Sequence, residues 1–120
     1  MNGTTTGRPS NPDLKTMHGS LIALVRRLEE SIDAAPTAAA IGAIVDQMAE
    51  VNARVTSTGS VLLAAQTEEI ARHARAVAKA LPSIEAEIAD LQRLEHALAT
   101  ITGVLATVDE AVRVAELTCR

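Results

Sequence analysis

Three histidines and one cysteine are the residues best suited to bind a metal or to take part in catalysis. They are His18, His73, His96 and Cys119. Glu69 precedes His73 by four residues, so on a helix the two side chains share a face, as two metal ligands or a carboxylate that orients an imidazole would. Zinc needs four ligands, and three scattered histidines with one cysteine show no zinc-ligand spacing. Di-iron bundles need a Glu-x-x-His motif, but the residues three before the histidines are Lys15, Ile70 and Arg93. We therefore expect no metal and no cofactor.

No pattern typical of an active site occurs in the chain. None of the serines stands in Gly-x-Ser-x-Gly, and there is no Gly-x-Gly-x-x-Gly and no P-loop. Adjacent carboxylates such as Glu68 and Glu69 point about 100° apart on a helix and do not converge. We expect a protein that is not an enzyme and has no small-molecule substrate. A histidine phosphotransfer domain is a remaining alternative, although the residues around His18 and His73 match that class poorly.

The composition describes one small helical domain rich in aliphatic residues. The chain has 120 residues, 48% of them hydrophobic, with no Phe, Tyr or Trp and a formal net charge of −4. The acidic balance gives no reason to expect nucleic-acid binding. No apolar stretch approaches the roughly 20 residues of a membrane span. With no secretory signal and one cysteine, we expect a cytoplasmic protein.

Apolar residues recur at steps of three and four, which predicts an all-α fold. We expect a disordered tail over residues 1–11 and a single helical-bundle domain over 12–120, with helices at about 12–34, 37–57, 61–81 and 84–117. Asn11 and Thr37 are predicted caps of the first two helices. Ser60 is the predicted cap of the third helix, which Pro82 should end or kink, and Ser83 opens the fourth. Apolar residues at these steps form a stripe along one face of each helix, which we call its seam. Such seams predict a four-helix antiparallel bundle or paired coiled-coil hairpins.

The last seam is the longest, and an unbroken helix over it would be roughly 50 Å long. This helix exceeds its neighbours, so part of its seam could lie against a partner or equally within the chain's own core. The residues of this seam that we expect at an interface are Leu98, Ile101, Leu105, Val108 and Val112. In the third helix, Gln66 and His73 occupy seam positions, which predicts a polar layer that specifies register or partner.

Two functional hypotheses follow from these patterns. The first is a non-enzymatic coiled-coil interaction subunit, an adaptor or scaffold that assembles through its aliphatic seams with a protein partner or with itself. The second is a small regulator or chaperone that sequesters a partner helix in a groove between its hairpins. Since no aromatic anchor is present, binding in either case should use long, shallow aliphatic surfaces.

Overall fold

A computed structural model describes residues 10–118 and contains four helices, which confirms the predicted all-α fold. They are α1 (Pro12–Ile32), α2 (Ala38–Gly59), α3 (Glu68–Ile88) and α4 (Leu94–Thr118), with a short 3-10 turn over Leu91–Arg93 before α4. No strand occurs between residues 10 and 118. Residues 1–9 of the predicted tail lie outside the described residues. Asn11, the last residue of that predicted tail, is buried.

Asn11 caps α1, as the sequence predicts, and also joins the two halves of the chain. Its side-chain oxygen accepts hydrogen bonds from the backbone N–H groups of Asp13 and Leu14. Its side-chain amide donates to the carbonyl of Ala64 at 3.1 Å, and its backbone N–H donates to the carbonyl of Leu62. One residue therefore satisfies the start of α1 and holds it against the segment before α3.

The first two helices bury their predicted seams to different extents. In α1 the whole predicted seam is buried: Leu14, Met17, Leu21, Leu24 and Leu28. In α2, which Thr37 caps as predicted, only Ile44 and Val51 of the predicted seam are fully buried. Met48 and Val55 are half-buried, and Ile41 is 37% exposed. Because α2 is also apolar, it keeps much of its aliphatic surface in contact with solvent.

The predicted start of the third helix, at residue 61, is wrong, since α3 begins at Glu68. The Ser60 hydroxyl donates to the carbonyl of Ser57, so Ser60 belongs to the end of α2 and does not cap the next helix. Thr67 is the cap, and its hydroxyl accepts from the N–H of Ile70. Two carboxylates follow Thr67 in the first turn, where negative charge stabilises a helix N-terminus. The chain therefore has a stronger start signal at Thr67.

Pro82 does not end α3, so the predicted helix end at about residue 81 is wrong. It lies on the exposed face, and α3 continues through Ser83, the predicted start of the next helix, to Ile88. A proline inside a helix costs about 3 kcal/mol. Ile84 and Ile88 lie beyond it and are 0% and 3% exposed, and burying each contributes about 1.5–3 kcal/mol. Their burial outweighs the backbone hydrogen bond that Pro82 cannot make.

The fourth helix begins at Leu94 instead of residue 84, because the chain turns at Asp90. The Asp90 carboxylate accepts from the N–H of Gln92, and its carbonyl accepts from the N–H of Arg93, as aspartate does in turns. With 25 residues, α4 is about 37 Å long, whereas we expected about 50 Å. The four helices are therefore similar in length, and no long unmatched end of α4 projects from the bundle.

The helices form two hairpins, α1–α2 and α3–α4, which pack side by side. Within the first hairpin α1 and α2 are antiparallel, since His18 near the start of α1 contacts Thr58 near the end of α2. Between hairpins, α1 packs on α3 and α2 packs on α4. The α2–α4 contacts advance together along both helices, from Gln47 with Thr102 to Arg54 with Asp109. The first helices of the two hairpins, α1 and α3, are thus parallel neighbours, and so are the second helices, α2 and α4.

The core repeats from the first hairpin to the second. Leu14, Leu21 and Leu28 of α1 correspond in position to Ile70, Val77 and Ile84 of α3, and Ile44, Val51 and Thr58 of α2 correspond to Ile101, Val108 and Ala115 of α4. All twelve are at most 2% exposed. Each helix therefore contributes one fully buried residue about every two turns, and these residues form successive layers.

The bonds of Asn11 predict a larger loss of stability on truncation than an ordinary cap gives. Asn11→Ala removes two bonds to the start of α1 and leaves the buried Ala64 carbonyl without its donor, so we expect unfolding free energy to fall by about 2–3 kcal/mol. Thr37→Ala removes the cap of α2 at an exposed position and should cost about 1 kcal/mol. Urea denaturation measures both, and equal losses would contradict the bridging role.

Candidate functional site

Four of the five predicted interface residues of α4 lie in the chain's own core. Ile101, Leu105, Val108 and Val112 are between 0% and 8% exposed. A partner could reach them only if the bundle opened. The fifth, Leu98, is half-buried and lines a groove at the surface. The structure therefore separates Leu98 from the other predicted interface residues.

This groove lies between the first part of α2 and the first part of α4, and we call it the α2–α4 groove. Its volume is about 390 Å³. Ala39, Ala40 and Ala43 line it on α2, and Leu94 and Leu98 line it on α4. Ala39 and Ala43 are exposed and Ala40 is half-buried. Because alanine side chains end at Cβ, the α2 wall leaves room for larger aliphatic side chains from outside the chain.

Two polar bridges hold α2 and α4 together beyond the groove. The Gln47 amide donates to the Leu98 carbonyl and to the Thr102 hydroxyl, both at 3.3 Å. Farther along, the Arg54 guanidinium donates to both carboxylate oxygens of Asp109 at 3.0 Å. Arg54 also bonds Glu50 on its own helix at 2.7 Å. Bonds to Asp109 and then to Glu50 raise the pKa of Arg54 above its ordinary value. The ordinary pKa of arginine already keeps the guanidinium charged at any ordinary pH.

Gln66 and His73, which are predicted to form a polar layer at a helix interface, do not lie on the same helix. Gln66 precedes α3, is exposed, and its amide donates to the Asp13 carboxylate at the start of α1. His73 lies within α3 and is half-buried. The prediction was wrong because it began the third helix at residue 61 and so placed Gln66 on that helix. Gln66 instead strengthens the contact between the start of α1 and the start of α3.

The structure places His18 half-buried between α1 and α2. Its Nδ1 atom lies 2.9 Å from the hydroxyl of Thr58, which is fully buried. The Thr58 hydroxyl is 2.8 Å from the Arg54 carbonyl, to which it can donate. The ring also covers Gly59, where an added Cβ would lie 3.2 Å from His18 Cε1. His18 therefore acts as a packing and hydrogen-bonding contact that closes the first hairpin.

Glu87 and His96 form the one carboxylate–imidazole contact that sequence reasoning missed. His96 Nδ1 lies 2.5 Å from Glu87 Oε2, and the side chains are 71% and 11% exposed. The other Glu87 oxygen is buried without a hydrogen-bond partner among the described residues. On one continuous helix, positions nine residues apart point in opposite directions. Only the turn at Asp90, which the sequence pattern did not reveal, brings the two side chains together.

Among residues 10–118, no three His, Cys, Asp or Glu side chains cluster so that they could hold a metal ion. Over the same range, no helix has the length and apolar content that crossing a membrane requires. In comparisons with known proteins, no family model, no curated protein and no solved structure matches this chain. The arrangement of the helices and their grooves is therefore the basis for a functional proposal.

We expect the stability that the Arg54–Asp109 bridge provides to depend on the geometry of the guanidinium as well as on its charge. Arg54→Lys keeps the positive charge but cannot bond both Asp109 oxygens in the same way, so we expect unfolding free energy to fall by roughly 0.5–1 kcal/mol. Arg27→Lys, which alters an exposed pair with Glu30, should have a smaller effect. Thermal and urea unfolding at low salt measure the unfolding free energy of both variants. Equal losses of unfolding free energy in the two variants would contradict the prediction.

Proposed function

We propose that this chain is a non-enzymatic helical interaction module that holds one helix of a protein partner in the α2–α4 groove. The observation that carries the proposal is the groove's lining of exposed alanines on α2 beside Leu98, a predicted interface residue. An amphipathic helix binds such a groove by inserting side chains spaced at three and four residues. This is the second of the two functional hypotheses that the sequence supports.

The incomplete burial of α2 supports the same proposal. Only Ile44, Val51 and Thr58 of its 22 residues are buried, whereas α4 buries nine of 25. From residue 38 to residue 49, Asp46 is the single charged residue on α2. A helix usually has charged residues on the side that faces solvent. A partner helix would cover apolar surface that α2 otherwise leaves exposed.

The first hypothesis, assembly through the α4 seam, has less support. The long helix that motivated it is interrupted at Asp90, and four of its five proposed contacts are inside the bundle. Assembly through that seam would therefore require the bundle to open. The polar pairs Arg54–Asp109 and His18–Thr58 each join two helices, which accords with structural roles in a module that performs no chemistry. The proposal also retains the cytoplasmic location expected from the sequence.

A neutral helical peptide tests the proposal directly. The probe is an 18-residue peptide with leucines at steps of three and four and only Gln, Ser and Ala elsewhere, titrated into the ¹⁵N-labelled chain. We expect saturable binding with a Kd in the micromolar range, with amide shifts concentrated at residues 39–43 and 94–98. Amide shifts spread over the whole surface, or no saturation at millimolar peptide, would contradict the proposal.

Two matched variants locate the site. Ala43→Gln places a longer polar side chain on the groove wall and should weaken binding at least roughly tenfold, or about 1.4 kcal/mol. Ala53→Gln makes the same change at another exposed position of α2, outside the groove lining, and should leave Kd within about twofold. Circular dichroism checks that both variants keep the helix content of the parent chain. Equal weakening by both substitutions would exclude the groove as the binding site.

A further inference from the structure

The charges beside the α2–α4 groove are acidic on both of its sides. Ala39 and Ala43 begin a stripe along α2 that Asp46 and Glu50 continue at steps of three and four residues. On the opposite side, Glu95 lines the groove from α4. The small apolar surface therefore has carboxylates at its α2 end and along its α4 edge.

The cation of α2 and the cation in the turn before α4 are already paired within the chain. Arg54 bonds both Glu50 and Asp109, and Arg93 lies 3.7 Å from Asp90. No ion-pair partner for Asp46 or Glu95 occurs within residues 10–118. Within the described residues, the carboxylates of Asp46 and Glu95 therefore have no internal cation that competes with charge supplied by a partner.

We infer that the occupant of the α2–α4 groove is a basic amphipathic helix, whose aliphatic side chains contact Ala39, Ala43 and Leu98 while lysines or arginines flank them and pair with Asp46 and Glu95. This inference rests on the proposed function and specifies its partner. The small α2 wall favours bulky aliphatic residues on the occupant, and the acidic margin favours flanking cations. Each flanking charge adds to selectivity and association rate more than to affinity.

A second copy of the chain fits this groove less well. The chain has a formal net charge of −4, and the α2 stripe of one copy would meet another surface that is acidic overall. Facing α2 helices would bring Asp46 and Glu50 of both copies into one interface without a free cation from α2, since Arg54 is already paired. Like charges held together across an interface oppose association.

Three peptides with the same leucine spacing test the inference. One has lysines flanking the leucines, one has glutamates and one has glutamines, and fluorescence anisotropy measures each Kd at about 50 mM salt. We expect the lysine peptide to bind at least tenfold more tightly than the glutamate peptide, with the glutamine peptide between them. The difference should shrink as salt is raised, because exposed charges are screened.

Two double variants separate the local charges from the net charge. Asp46→Asn with Glu95→Gln should bring the lysine and glutamate peptides to within about threefold of each other. Glu85→Gln with Glu116→Gln removes the same charge at exposed positions outside the groove lining and should retain most of the preference. If both double variants lose the preference equally, binding follows net charge, and the inference is wrong. The salt series on the unchanged chain tests the charge dependence even if a variant unfolds.

The outcomes for the two proposals are distinct. Equal binding of all three peptides in the groove would overturn the basic occupant and leave the helix-binding function standing. Failure of every peptide to bind the groove would overturn the proposed function itself. Light scattering of the chain alone tests the remaining occupant: a dimer that Ala43→Gln dissociates and Ala53→Gln does not would show that a second copy fills the groove, and would also overturn the inference.

Discussion

The whole structure depends on building a core without a single aromatic side chain. A Phe, Tyr or Trp buries 150–250 Å² by itself, so this chain must obtain its burial from many smaller aliphatic contacts. All four helices supply them in repeated layers, from Leu14, Leu21 and Leu28 in α1 to Ile101 and Val108 in α4. The matched layers of the two hairpins lie side by side, because α1 packs on α3 and α2 packs on α4.

The features that the sequence predicted well are those determined within one or two helical turns. The seam of α1 and the caps Asn11 and Thr37 depend on side-chain spacing and on bonds to backbone a few residues away. Both are local properties, so single-sequence reasoning finds them. What it could not find is that the Asn11 amide also bonds Ala64, because that contact spans 53 residues of sequence.

The errors occur where tertiary packing overrides a local signal. Pro82 is a genuine helix-breaking residue, but Ile84 and Ile88 lie beyond it and are buried, so α3 continues. Asp90 is a weak turn signal inside an apolar pattern that continues at steps of three and four, so the turn there has no visible interruption in the sequence. The Glu87–His96 contact depends on that turn and was hidden for the same reason.

The candidate groove follows from the small residues at the start of α2. Alanine on α2 lets that helix lie near its neighbours, but its small side chain also buries little area, so Ala39 and Ala43 leave space where α2 meets α4. The bridges from Gln47 and Arg54 close the contact only farther along the two helices. A bundle that lacks large side chains thus has a surface where a partner's larger side chains would add apolar burial, and binding there would stabilise the fold by linkage.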